Sequence, residues 1–95
     1  MMVLCNVFND YMEIKITIPE YSDQGLKSEW EHGFEIKTEI SNDEILISAN
    51  KAGLISLAKQ LLSLAQDDVP MGYHMHYDEY NSLGESSVAL VIEKK

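Results

Sequence analysis

Five consecutive residues, His74-Met75-His76-Tyr77-Asp78, hold the densest set of chemically capable side chains in the chain. On a strand, alternation sends His74, His76 and Asp78 to one face and Met71, Tyr73, Met75 and Tyr77 to the other. Two imidazoles at alternate positions can chelate a transition metal, with Asp78 as a third ligand or as an acceptor that orients an imidazole. The spacing is a weak signal on its own, because metal catalysis also needs a shaped cavity with an open coordination position. The same pair could act as general acid and base in a small hydrolase or nuclease. Such an enzyme would need a phosphate clamp, and the chain has no arginine. A Gly-x-Ser-x-Gly elbow and a glycine-rich phosphate cradle are also absent. Cys5, the only cysteine, excludes an internal disulfide and has no His or basic neighbour in sequence to activate it. The residues therefore read as no enzyme, no cofactor and no metal, with His74, His76 and Asp78 as hydrogen-bonded structural or interface groups.

Sixteen acids stand against seven lysines, a formal charge of −9 in 95 residues. That balance repels polyanions, so nucleic acid and anionic membranes are excluded as partners. No run of about 18 apolar residues exists to span a bilayer. The apolar start, Met1 to Cys5, lacks a basic residue before it and breaks at Asn6, which is not a secretory pattern, and a cytoplasmic address is expected. The acids either keep the domain soluble or steer a basic partner.

The elements that must position these groups are legible from period and punctuation. Met12-Glu13-Ile14-Lys15-Ile16-Thr17-Ile18 alternates and stops at Pro19, which predicts a first strand. Residues 1–11 ahead of it read as a loosely held extension of a single domain spanning 1–95. Leu26 to His32 around Trp30 is a candidate short strand bent by Gly33, although Trp30 itself reads as core. Phe34 to Ile40 and Ile45 to Ser48 alternate on either side of Ser41-Asn42-Asp43-Glu44. If Asn42 and Asp43 form a two-residue loop, Ile40 faces Ile45 and Thr38 faces Ile47. Asn50 is placed to cap a helix whose Leu54, Leu57, Ala58, Leu61, Leu62 and Ala65 recur at three-and-four spacing, with Ser56, Lys59, Gln60, Ser63 and Gln66 opposite. The leucines are expected to face the sheet. Met71 to Asp78 and Ser87 to Glu93 complete an α+β order β-β-β-α-β-β, a mainly antiparallel sheet of about five strands with one amphipathic helix on one face.

The sheet's other face would carry His74, His76 and Asp78 beside Glu13, Lys15, Glu35, Lys37 and Glu39. Asp67 and Asp68, just past the helix, are either a solvated loop or an acidic contact for a basic partner. In the last strand, Val88, Leu90 and Ile92 would point toward the helix and Ala89 and Val91 outward. That strip resembles an interface core, and a homodimer seam is equally compatible with it.

The segments Asn50-Lys51-Ala52-Gly53-Leu54-Ile55-Ser56-Leu57-Ala58-Lys59, Leu61 to Gln66, Tyr73-His74-Met75-His76, Asn81-Ser82-Leu83 and Val88 to Glu93 together resemble the immunity protein 32 family of bacterial polymorphic toxin systems. The likeness covers the second half of the chain and reaches the first half only by pattern. It implies a cytoplasmic protein that binds and neutralises a cognate toxin; the candidate contact residues, Glu35, Lys37, Glu39, Asp67, Asp68, His74, His76 and Asp78, come from the free sheet face and the helix exit read above. Tyr77, where the family pattern implies an apolar residue, and the apolar leader before Met12 depart from it. A small regulatory or dimerisation module and a histidine-dependent enzyme are the competing readings.

Overall fold

The computed structural model describes residues 11–95. Cys5 and all but the last residue of the extension assigned to 1–11 lie outside the described residues. Asn42 and Asp43 take positive φ, 52° and 63°, the two-residue type I′ turn whose twist matches that of paired strands. The turn joins β1 (Ile36–Ser41) to β2 (Glu44–Ala49). Ile40 pairs with Ile45 and Thr38 with Ile47, the register the loop chemistry predicts. Helix α1 (Lys51–Leu64) follows at once, capped by Asn50, whose side chain accepts from the Gly53 N–H. Beyond it, β3 (His74–Tyr77) and β4 (Leu90–Glu93) form a second antiparallel pair.

The α+β class holds, but among the described residues the single sheet of about five strands is replaced by two sheets of two strands each. Met12 to Ile18 adopts no strand, despite its alternation. Alternation specifies a face and not a partner, and both edges of β1 are already taken. One edge is bonded to β2 and the other to the segment before β4, where Gly84 N–H donates to Ile36 O at 2.7 Å and Val88 N–H to Thr38 O at 3.1 Å. Met12 and Ile14 stay 81% and 72% exposed as a result. Leu26 to His32 is not a strand either, and Gly33, at φ 77°, turns the chain toward β1.

The two sheets meet along a seam in which hydroxyls stand in for ladder bonds. Thr38 N–H donates to Ser87 Oγ at 3.2 Å, and Thr38 Oγ1 donates to Val88 O. The expected last strand, Ser87 to Glu93, is thus divided: its start lies on β1, and Leu90–Glu93 lies on β3. Ile36, Tyr77 and Leu83 form the buried centre, with Trp30, Phe34, Leu57, Met75, Leu90 and Ile92 packed around it. Trp30 stacks on Phe34 at 4.5 Å and meets Tyr77 edge-on at 6.0 Å, so it is a core residue.

The orientation of α1 reverses the expected one. Its buried residues are Gly53, Ser56, Gln60, Ser63 and Leu64, while Leu54, Leu61 and Leu62 are 56%, 47% and 48% exposed. The cause is the backbone approach at Gly53. A Cβ built there would lie 2.5 Å from Glu35 O, 2.9 Å from Ile36 Cγ1 and 3.1 Å from Ala49 Cβ. With the helix rotated to bring Gly53 against β1, Ser56, Gln60 and Ser63 follow on the same face, one turn after another.

In an exposed helix, replacing Gly53 by Ala would stabilise by about 1 kcal/mol. At this contact the overlap dominates, and G53A is expected to destabilise by roughly 1–3 kcal/mol in urea unfolding. An unchanged or raised midpoint would show that the helix does not approach β1 this closely.

Candidate functional site

Three groups of side chains compete for the description of a site: the buried polar face of α1, the histidine strand, and the leucines left outside. The buried face is fully partnered. Ser56 Oγ accepts from Glu31 N–H at 2.8 Å and donates to Ala52 O at 2.8 Å. Gln60 Nε2 donates to Glu29 O at 3.2 Å, and its Oε1 accepts from Tyr77 Oη at 2.7 Å. Ser63 Oγ donates back to Lys59 O, and no buried side-chain N or O among the described residues lacks a partner. Desolvation pushes the Tyr77 phenol up from 10.0 to about 12, so it remains a neutral donor. A set of groups this completely satisfied, closed over by packing, holds the fold and offers no reacting atom. It also accounts for Tyr77 at an expected apolar position, since Gln60 supplies the acceptor its hydroxyl needs.

The histidine strand is arranged as alternation predicts on one side only. Tyr77 is buried and Met75 half-buried against the core, whereas His74 and His76 are exposed with their rings edge to face at 4.8 Å. His74 Nδ1 lies 3.0 Å from Gly72 O. An open depression of about 270 Å³ runs along this strand, lined by Leu26, Ser28, Trp30 and Tyr73 as well as the histidines.

Asp78 does not join the pair. Its carboxylate accepts from Tyr80 N–H at 2.9 Å and Asn81 N–H at 3.1 Å, an Asx turn that competes with strand continuation. Among the described residues, no three His, Cys, Asp or Glu side chains gather where they could hold a metal ion. Asn81 completes the turn by accepting from Asp78 N–H and donating to His76 O. The loop then delivers Leu83 to the core, 5% exposed.

The other candidate contact residues are dispersed. Lys37 and Glu39 alternate with buried Ile36 and Thr38 and so project away from α1. Glu35 accepts from Asn50 Nδ2 at 3.4 Å and is drawn into the helix cap. Asp67 and Asp68 are exposed in the turn after the helix, which has already ended at Leu64. The carbonyls of that turn are served by Lys94, whose Nζ donates to Gln66 O at 2.6 Å and Val69 O at 2.8 Å. No helix among the described residues is long and apolar enough to cross a membrane.

What remains without a structural task is the leucine stripe. Leu54, Ala58, Leu61, Leu62 and Ala65 follow one another along α1 at spacings of four, three, one and three residues, which is one helical face. The stripe's three leucines are about half exposed, and Asp67 and Asp68 follow at its carboxyl end. Contiguous exposed apolar surface of this kind on a charged protein is the candidate site these residues offer. Reading the sequence for burial missed it, because the leucines carry the stronger periodic signal. The signal that could have found it is the competing small-residue stripe of Gly53, Ser56 and Ser63, the only helix face narrow enough for close contact.

Among known families, the model described as Immunity protein 32 matches residues 44–95, more than half of the chain. The matched span begins at β2 and contains α1, β3, β4 and the Ser87 and Val88 side of the seam, but not β1. No curated protein and no solved structure matches the chain.

The Tyr77 to Gln60 bond has a pH signature. Above pH 10 the unfolded phenol loses its proton while the folded one keeps it, so the contribution of Tyr77 is complete below that point and is lost as pH rises toward about 12. Stability should fall across this window by up to about 1.4 kcal/mol per pH unit more in the parent than in Y77F. Parallel slopes in denaturant titrations of the two proteins would contradict the buried phenol.

Proposed function

The chain belongs to the immunity protein 32 family, and on that footing we propose that it binds and neutralises a cognate bacterial toxin in the cytoplasm, acting as a binder and not as an enzyme. The observation that carries the reading is the outward leucine stripe of α1. Each leucine is about half exposed, so covering it with a partner is worth on the order of 1 kcal/mol apiece. An apolar centre with an acidic margin is the anatomy of a protein interface. The net charge of −9 and the Asp67-Asp68 pair beside the stripe favour a basic toxin and raise its association rate. The chain lacks arginine, so its contribution to such an interface is aliphatic and anionic.

The histidine-bearing side is the second reading, favoured by the exposed ring pair of His74 and His76 and by Lys37 and Glu39 projecting away from the helix. The two surfaces make opposite mutational demands. The product of the adjacent open reading frame is expected to be toxic, and co-expressing this chain with it should restore growth. Replacing Leu54 and Leu61 together by Asp should abolish the rescue and weaken binding by about 100-fold. Because both sites are exposed, the change in folding stability should stay within about 0.5 kcal/mol per substitution. H74A/H76A should leave rescue intact. Loss of rescue only in the histidine variant transfers the contact to the other side, and a wild-type chain that neither binds nor rescues ends the reading altogether.

A further inference from the structure

A different surface carries the second proposal: we propose that the free edge of β2 pairs with the same edge of a second copy of this chain, joining two hairpins into a continuous four-stranded sheet. Glu44 to Ser48 are exposed without exception, including Ile45 at 73%, Leu46 at 46% and Ile47 at 42%, and Ile40 beside them is 64% exposed. Natural sheets shield an edge with lysine, proline, a bulge or a covering segment. Among the described residues this edge carries no lysine, proline, bulge or covering strand, and its single charged residue is Glu44 at the end.

The backbone groups are turned the right way. Asn50 N–H donates to Glu35 O, and bonded pairs alternate along an antiparallel ladder. Ser48, Leu46 and Glu44 therefore direct their N–H and C=O groups at β1, and Ile45, Ile47 and Ala49 direct theirs at the free edge. Two copies related by a two-fold axis normal to the sheet can pair these residues with the axis at Ile45, Leu46 or Ile47.

Charge selects among the three. With the axis at Ile45, Glu44 lies opposite Leu46 of the second copy, whose partner on β1 is Glu39, so like charges flank an apolar residue. With the axis at Ile47, Glu44 lies opposite Asn50 of the second copy, beside Glu35. With the axis at Leu46, Glu44 lies opposite Ser48 of the second copy, whose ladder partner is Lys37. Glu44 and Lys37 of the second copy then stand on one face about 10 Å apart at Cα, with only a serine between two long side chains of opposite sign. The two-fold axis makes this contact twice. On the other face the same register aligns Ile40 and Ile45 with Ile47 of the second copy, so that six isoleucines adjoin. The overall charge of −9 opposes association, but it acts through solvent and is screened beyond about 8 Å at physiological ionic strength.

Edge pairing of short strands buries a small area, so a weak, reversible dimer in the micromolar range is expected. Sedimentation velocity on the full chain, from low to high micromolar concentration at physiological salt, should show it. K37E and E44K should each weaken the dimer by roughly tenfold, and the double variant K37E/E44K should restore it, since reversing both partners re-forms the pair. I47P, which removes an N–H that the hairpin does not use, should give a monomer with a parent-like circular dichroism spectrum. A chain that stays monomeric throughout overturns the proposal. So does a dimer indifferent to charge reversal, which would place the contact on Met12 to Ile18 or on the leucine stripe. Because L54D/L61D leaves β2 untouched, failure of toxin binding and failure of self-association are read separately.

Discussion

The approach of α1 to β1 at Gly53 governs the remainder of the structure. With the Glu35 carbonyl where a Cβ would otherwise sit, the helix has one rotation about its axis open to it, and that rotation decides which side chains face inward. Only small groups, or polar ones that find partners, fit beneath a helix held this low. Ser56 and Gln60 are such groups, and through their bonds to Glu31 N–H, Glu29 O and Tyr77 Oη they fix the 29–31 segment and β3 as well. Lys59, 3.5 Å from Glu31, adds a half-exposed ion pair to the same side, a minor term at this solvent exposure. Asn50 holds the entry: it caps the helix, accepts from Glu35 N–H and donates to Gly33 O.

What could be read from residues alone divides along the same physical line. The Asn42-Asp43 turn, the β1 to β2 register and the Asn50 cap were legible because each is settled by a few neighbouring residues. The outward placement of His74 and His76 was legible for the same reason, since alternation on one strand requires no knowledge of the rest. Met12 to Ile18 was not, because alternation names a face without naming the edge that will receive it, and the segment pairs with none although the second edge of β1 is taken by Gly84 to Val88 and that of β2 is left open. The facing of α1 was misread because apolar periodicity records which face prefers to be dry without saying which face the backbone contact permits. Asp78 was misread because its carboxylate serves its own loop.

Polar groups in the interior have an energetic meaning here. Thr38 of β1 and Ser56, Gln60 and Ser63 of α1 are buried, while three leucines of α1 are about half exposed. Hydrogen bonds of this kind contribute modestly to net stability but strongly penalise any alternative packing that breaks them. The helix therefore specifies its seat well: Leu57 and Leu64 enter the interior, and Leu54, Leu61 and Leu62 are withheld from it. That division leaves a contiguous apolar stripe on the surface of α1.

The hydroxyl seam between Thr38 and Ser87 carries a consequence for cooperativity. Each hairpin is closed by its own ladder, yet the two are joined by side chains and two backbone bonds and not by a continuous run of pairs. Rupture of those bonds, together with withdrawal of Ile36 from Tyr77 and Leu83, would release the β1 to β2 hairpin with its own ladder intact, while β3 and β4 stay paired. The molecule is thus jointed along its middle into two units that can open at different free energies. Resistance to proteolysis and to amide exchange that is graded from one hairpin to the other, with the boundary at a threonine and a serine, is the expected consequence.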